Sequence, residues 1–267
     1  MLKDITIGQY FPVDSLIHRL DPRFKIVMTL IFIVMLFTGQ SPVCLAVGAV
    51  YAVMAILLSK IKFKMFVKSI KPLMPFLLIT ALLNIFFIKD GTVYFHWKFL
   101  KITSDGINVS VVMIIRIIIL IAGSSLLTYT TSPISLTDAV ERLLSPLKRF
   151  RFPVHELAMM MSIALRFIPT LIEETDRIIS AQKARGAEFD TGSVMNRAKN
   201  IVSILIPLFI SAFRRADELA TAMECRCYCG GEGRTRLRQL KSAPRDYIAL
   251  GVTVGFLVCV IIINIFT

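Results

Sequence analysis

Between Tyr247 and Phe266 the chain carries no charged residue, and between Ile107 and Tyr129 it carries one, Arg116. Each run reaches the ~20 residues that a helix needs to cross the hydrocarbon core of a bilayer. Three shorter runs share this character: Ile26 to Phe37, Val43 to Leu58 and Pro72 to Ile88. They span if flanks such as Phe24 and Lys25 sit at the interface. Buried helices of a soluble core explain one such run, not five in one chain. Composition agrees: 55% of the 267 residues are hydrophobic and only 18% charged, too little polar surface to cover a soluble protein. Disorder is excluded by the same apolar content. The predicted fold class is an all-α membrane protein with about five transmembrane helices.

Lysine and arginine number 31 against 18 acidic residues, a net charge of +13. In a chain this apolar, such an excess reads as basic cytoplasmic loops and not as a nucleic-acid partner. Lys3, Arg19 and Arg23 precede the first run, and Gly39 to Pro42 after it has no charge. Ser59 to Lys71 holds Lys60, Lys62, Lys64, Lys68 and Lys71. The alternation puts the N-terminus in the cytoplasm and the C-terminus outside. Gly91 to Trp97, with its aromatics, reads as a short external hairpin or re-entrant piece. The first run is a poor signal peptide, because Thr38-Gly39-Gln40-Ser41 is not a small-x-small cleavage site. Five cysteines, an odd number, read as reduced thiols.

Four segments follow: a cytoplasmic N-terminal stretch (1–23), transmembrane helices one to four (24–129), a large cytoplasmic helical region (130–245) and the last transmembrane helix (246–267). The third segment is too long for a structureless loop. Ser135 is the expected N-cap of its first helix, which runs to about Leu144 before Pro146. A second helix starts after Pro153, with Leu157, Met161, Ala164, Ile168, Leu171 and Ile178 on one face, and ends near Gly186. A third runs from about Val194 to Arg226 and stops before Gly230-Gly231.

The two long helices share landmarks. Both hold Ile-Pro (Ile168-Pro169, Ile206-Pro207), an aspartate nine residues before a terminal arginine (Asp176, Asp217) and an alanine four before it (Ala181, Ala222). Their tips are Ala184-Arg185-Gly186 and Cys225-Arg226-Cys227. The helix dipole favours an arginine in a last turn by ~0.3–1 kcal/mol, which is reason enough for one such residue. Small neighbours on both sides add a second property. They clear bulk from around the guanidinium, which can then enter a groove and fork onto carboxylate or carbonyl oxygens.

Three stretches together resemble the EcfT-type transmembrane T component of energy-coupling factor (ECF) transporters. They are His18-Arg19-Leu20-Asp21-Pro22-Arg23-Phe24-Lys25-Ile26, Ala181-Gln182-Lys183-Ala184-Arg185-Gly186-Ala187-Glu188-Phe189 and Ala222-Met223-Glu224-Cys225-Arg226-Cys227-Tyr228. The resemblance covers essentially the whole chain. Cys225 and Cys227 depart from it, standing where alanine and glycine are usual, and Gly230 is then the expected helix-ending glycine. The resemblance implies a non-enzymatic subunit of an ABC transporter for vitamin or micronutrient uptake in a prokaryotic cell membrane. Its partners would be two ABC ATPases, docked on the two arginine tips, and a substrate-binding membrane S component. ATP would be bound by the ATPases, with no cofactor on this chain. The sequence also holds no Gly-x-x-x-x-Gly-Lys-Ser/Thr loop, and Gly230-Gly231-Glu232-Gly233-Arg234 reads as a turn.

Other features are weighed against bland readings. Cys225, Cys227 and Cys229 form Cys-x-Cys-x-Cys, but a tetrahedral structural metal site wants four ligands. Small-residue use is the better account. Met159-Met160-Met161 reads first as core. As a soft, repackable face it would also suit contact with an S component. Arg116, inside an apolar run, is either functional or a bundle-ordering arginine. A membrane scaffold or insertase is the main alternative. A prenyl-transfer enzyme would need clustered aspartates, and a secondary transporter repeated spans with mid-membrane polar groups.

Overall fold

The computed structural model describes residues 10–39, 41–87, 92–97, 100–150, 152–187, 194–230 and 240–266. Lys3, Gln40, Ile88, Gly91, Glu188, Phe189 and Gly231 to Arg234, used above, lie outside the described residues. The helices are α1 (Pro22–Thr38), α2 (Pro42–Ser59), α3 (Phe63–Ile70), α4 (Met74–Phe87), α5 (Ser104–Thr130), α6 (Pro133–Leu144), α7 (Val154–Ala184), α8 (Val194–Glu224) and α9 (Pro244–Phe266). Strands β1 (Val93–Trp97) and β2 (Leu100–Thr103) pair antiparallel. The hairpin expected near Gly91 to Trp97 is therefore present between α4 and α5, as the one pair of strands among the described residues.

Five of the described helical stretches are long and apolar enough to cross a membrane: α2, α3 with α4 as one stretch, α5, α7 and α9. The number matches the expected five, but the membership differs. α1 has 17 residues, about a turn short of the ~20 that span a bilayer core. α7, read above as cytoplasmic, meets the same measure with a mean hydropathy of 1.3 over its most apolar window. Its charges concentrate from Glu173 onward, which leaves the first half apolar. The lysine-rich stretch after α2 also differs from a plain loop. It forms α3, which buries Phe66 and leaves Lys64 and Lys68 exposed.

The chain divides into two units. The larger comprises Gly8–Ala139 and Leu240–Thr267. In it α1 packs on α9, α5 and α2, while α5 also receives α3 and α4. Phe32, Met35, Leu36, Cys44, Leu45, Ala52, Ile119 and Val260 form its core. Gly123 lets α5 approach α1, because a Cβ there would overlap the Phe32 ring. Outward residues such as Leu57, Leu78 and Ile265 stay exposed, as suits a bundle whose solvent is lipid.

Polar groups tie this bundle at one end. Asp21 caps α1 by accepting from the Arg23 amide at 2.9 Å, and the Arg23 guanidinium forks onto its carboxylate. Asp246, 1% exposed, accepts from the Asp21 amide at 2.9 Å and the Ala243 amide at 2.7 Å. Lys25 Nζ donates to the Thr130 carbonyl at 2.9 Å. The opening motif thus closes the ends of α1, α5 and α9 onto each other. Arg116 donates to the Gly39 carbonyl at 2.8 Å, joining the middle of α5 to the end of α1. That is the bundle-ordering role.

The smaller unit lies within Val140–Gln239 and is built on α7 and α8. Glu141 Oε1 and His155 Nδ1 lie 3.1 Å apart at its start. α6, which leads into it, begins at Pro133, not at the expected Ser135. Ser132 Oγ accepts from the Ser135 amide at 3.3 Å, so Ser132 caps the helix and Pro133 takes its first position.

Candidate functional site

α7 and α8 each hold a proline, Pro169 and Pro207, and each ends in the same hydrogen-bonded turn. At the α7 end the Ala187 amide donates to the Gln182 carbonyl at 3.0 Å, and the Gly186 amide to Lys183 at 3.0 Å. At the α8 end the Tyr228 amide donates to Met223 at 3.1 Å, and the Cys227 amide to Glu224 at 2.9 Å. These paired bonds, five and three residues long, make a Schellman motif at each tip. The residue after the cap must turn left-handed: Gly186 has φ 86° and Cys227 φ 55°. Cys227 itself thus ends α8. The expectation that Gly230 replaces it is corrected, although Gly230 also has positive φ, 93°.

Arg185 and Arg226 therefore occupy the same cap position. Both are exposed, and neither makes an ion pair among the described residues. Ala184, Gly186, Cys225 and Cys227 are exposed beside them, and a Cβ on Gly186 would meet nothing. Each tip is a cation at the negative end of a helix dipole, with small neighbours on both sides. Such a group is free to enter a concave acceptor.

Two side-chain contacts orient the helices. Gln182 Nε2 donates to the Ser203 carbonyl at 3.4 Å, and Arg215 pairs with Glu174 at 3.4 Å. Moving back along α7 matches moving forward along α8, so the pair is antiparallel. From Ser203, beside the α7 tip, to Arg226 is a helix run on the order of 35 Å. The two arginines stand at opposite ends of the pair.

Met159 is half-buried, whereas Met160 and Met161 are 55% and 49% exposed. The core reading of the methionine run therefore fails for two of its three residues. α8 shows a stripe that the sequence reasoning left unassigned: Val202, Ile206, Phe209, Ile210 and Phe213, all exposed. Their spacing of four, three, one and three puts them on one helix face. The signal was present in the sequence as apolar residues at helical spacing.

The described cysteines, Cys44, Cys225, Cys227, Cys229 and Cys259, are free thiols. Among the described residues no group of three or more His, Cys, Asp or Glu is placed to hold a metal ion.

Known proteins place this architecture. Residues 14–237 match the CbiQ family, described as cobalt transport protein. The energy-coupling factor transporter transmembrane protein EcfT of Ruminiclostridium cellulolyticum is 53% identical over 264 residues, covering 99% of this chain and 98% of that protein. The protein of the same description from Clostridium kluyveri is 53% identical over 265 residues, with 99% and 98% covered. That from Streptococcus thermophilus is 46% identical, with 92% and 93% covered. With a family match over most of its length and near-full-length relatives at half identity, the chain belongs to the EcfT-type, CbiQ family of transmembrane components of energy-coupling factor transporters.

Proposed function

We propose that this chain is the non-catalytic mechanical link of its transporter, joining two cytoplasmic ABC ATPases to a membrane S component that captures a vitamin or similar micronutrient. Arg185 and Arg226 are the docking points for the ATPases, with Ala184, Gly186, Cys225 and Cys227 clearing the space around them. The observation that carries this reading is the repeated tip: one cap geometry, one exposed arginine, twice, at opposite ends of an antiparallel pair. A transducer pulled by two similar ATPases needs two similar handles set apart. ATP belongs to the ATPases, and this chain binds no cofactor of its own. Closure of the ATPases draws the tips together, and the movement passes along α7 and α8.

The S component meets the exposed apolar side chains of the same helices, Met160 and Met161 with Met159 behind them, and the α8 stripe. An apolar, methionine-containing face suits a partner that is itself a membrane protein. The N-terminus and the α7–α8 unit face the cytoplasm, and the C-terminus faces outward.

Copurification tests the proposal. Arg185→Glu and Arg226→Glu each lower recovery of ATPase, and the double variant loses it along with uptake. Reversing charge leaves the partner's acceptors desolvated and unpaired, which costs ~3–5 kcal/mol per site. Lysine at either site is milder, since it keeps charge but loses the planar fork. Full ATPase recovery and uptake by an inserted double Glu variant would overturn the docking role. A scaffold or insertase would behave that way.

A further inference from the structure

The ends of α1, α2, α5 and α9 at Lys25, Leu58, Thr130 and Arg245, with Leu16, Ile17 and Leu20 ahead of α1, line one end of a cavity of about 380 Å³. That is within the ~300–1,000 Å³ typical of ligand sites. Its body is apolar, lined by residues such as Met28, Phe32, Met54, Leu126 and Val252. It extends from Lys25 to Phe32 on α1 and from Arg245 to Thr253 on α9, roughly 10–12 Å along each helix. Further in, the polar groups are self-satisfied: the Tyr51 and Thr253 hydroxyls lie 3.0 Å apart, and Thr29 Oγ1 donates to the Lys25 carbonyl at 2.8 Å.

The end at Lys25 and Arg245 is different. Lys25 and Arg245 both line it, and neither makes an ion pair among the described residues. Lys25 is buried and already donates to the His18 and Thr130 carbonyls and the Thr131 hydroxyl, whereas Arg245 is exposed. Of the nearby carboxylates, Asp21 is held by Arg23 and Asp246 by the amides of Asp21 and Ala243, and both act on the Lys25 charge, which leaves the exposed Arg245 as the cation open to a ligand. An exposed arginine thus stands at the end of an apolar slot, with a buried, internally bonded lysine behind it, at the start of a helix, α9, that can cross a membrane. An occupant that complements this needs an apolar chain and an anionic head at the level of the interface. Basic pockets between membrane helices bind acidic lipid head groups on these grounds.

We propose that this cavity is a binding site for an anionic phospholipid, with one acyl chain between α1, α2, α5 and α9 and the phosphate on Arg245. A zwitterionic lipid brings its own cation to the same place and binds less well. The site holds the lipid at the joint that the opening motif forms.

The test uses the full chain in its transporter complex, in phosphatidylcholine bilayers doped with phosphatidylglycerol bearing a photoreactive acyl chain. Adducts are mapped by mass spectrometry. The expected result is labelling of cavity residues such as Met28, Leu126 and Val252. Arg245→Gln should reduce it about fivefold, while Arg245→Lys retains it. Ala249→Trp, which fills the slot, should abolish it. Photoreactive phosphatidylcholine should label the cavity no more than it labels the outer residues Val50 and Leu57. Equal cavity labelling by the two lipids, labelling indifferent to both Arg245→Gln and Ala249→Trp, or an unlabelled cavity would overturn the proposal.

Discussion

Cys227 stands at the end of α8 where Gly186 stands at the end of α7: each turns left-handed one residue after an exposed arginine. A side chain in that conformation costs about 1–2 kcal/mol relative to glycine. Cys227→Gly should therefore steady the α8 tip by about 1 kcal/mol, read as slower hydrogen exchange at Cys225 to Tyr228. Gly186→Val should loosen the α7 tip by at least as much. Replacing Cys225 and Cys229 by alanine should change neither tip.

The joint at the start of α1 depends on Asp246. Asp246→Ala leaves the amides of Asp21 and Ala243 without their acceptor. Each buried donor left unmade costs ~1–3 kcal/mol. The thermal midpoint of the detergent-purified protein should fall clearly, and less for Asp246→Asn, which keeps one acceptor oxygen. An unchanged midpoint for the alanine variant would remove Asp246 from the joint.

Gly123 faces the Phe32 ring where α5 packs on α1. Gly123→Val drives its side chain into the Phe32 ring and should cost ~1–3 kcal/mol through overpacking. Adding Phe32→Leu should restore part of the loss, since the clash is with the ring. Equal stability of the single and double variants would speak against this contact.

His18 lies in the segment ahead of α1. Its Nε2 donates to the Phe11 carbonyl at 2.9 Å, and Nδ1 accepts from the Ser15 hydroxyl at 2.7 Å. Burial lowers its pKa below the ordinary 6.5, against the pull of the Phe11 carbonyl. A depressed pKa means that the unfolded segment takes the proton first. Order in residues 10–20 should hold above pH 6.5 and weaken as pH falls below it. Hydrogen exchange against pH measures this, and His18→Gln should flatten the profile.

Topology can be checked by single introduced cysteines in a cysteine-free background. A cysteine at Lys64 or Arg185 should react with an impermeant reagent only in opened membranes. One at Thr267 should react from outside. Labelling of intact cells at Lys64 would invert the scheme.

Local signals along the chain determined the helices. Pro153 and the four-and-three spacing from Leu157 place α7, and the paired Ala-x-x-x-Arg tips mark where α7 and α8 end. The helical pattern and helix-end chemistry involve residues within a few positions of each other, so they are legible in order. Length and hydropathy likewise identified apolar helices, yet not which ones a bundle uses. α1 is a turn short by count but sits against α2, α5 and α9. Only tertiary structure brings Asp246 to Asp21, 225 positions away, and Arg116 to Gly39. It alone showed that Cys227 accepts the left-handed turn, that Met160, Met161 and the α8 stripe are left uncovered, and that an apolar slot ends on Lys25 and Arg245. Each of these depends on which helix faces which. A periodic apolar stripe states that a face will be buried or wetted by lipid, but it does not name the partner.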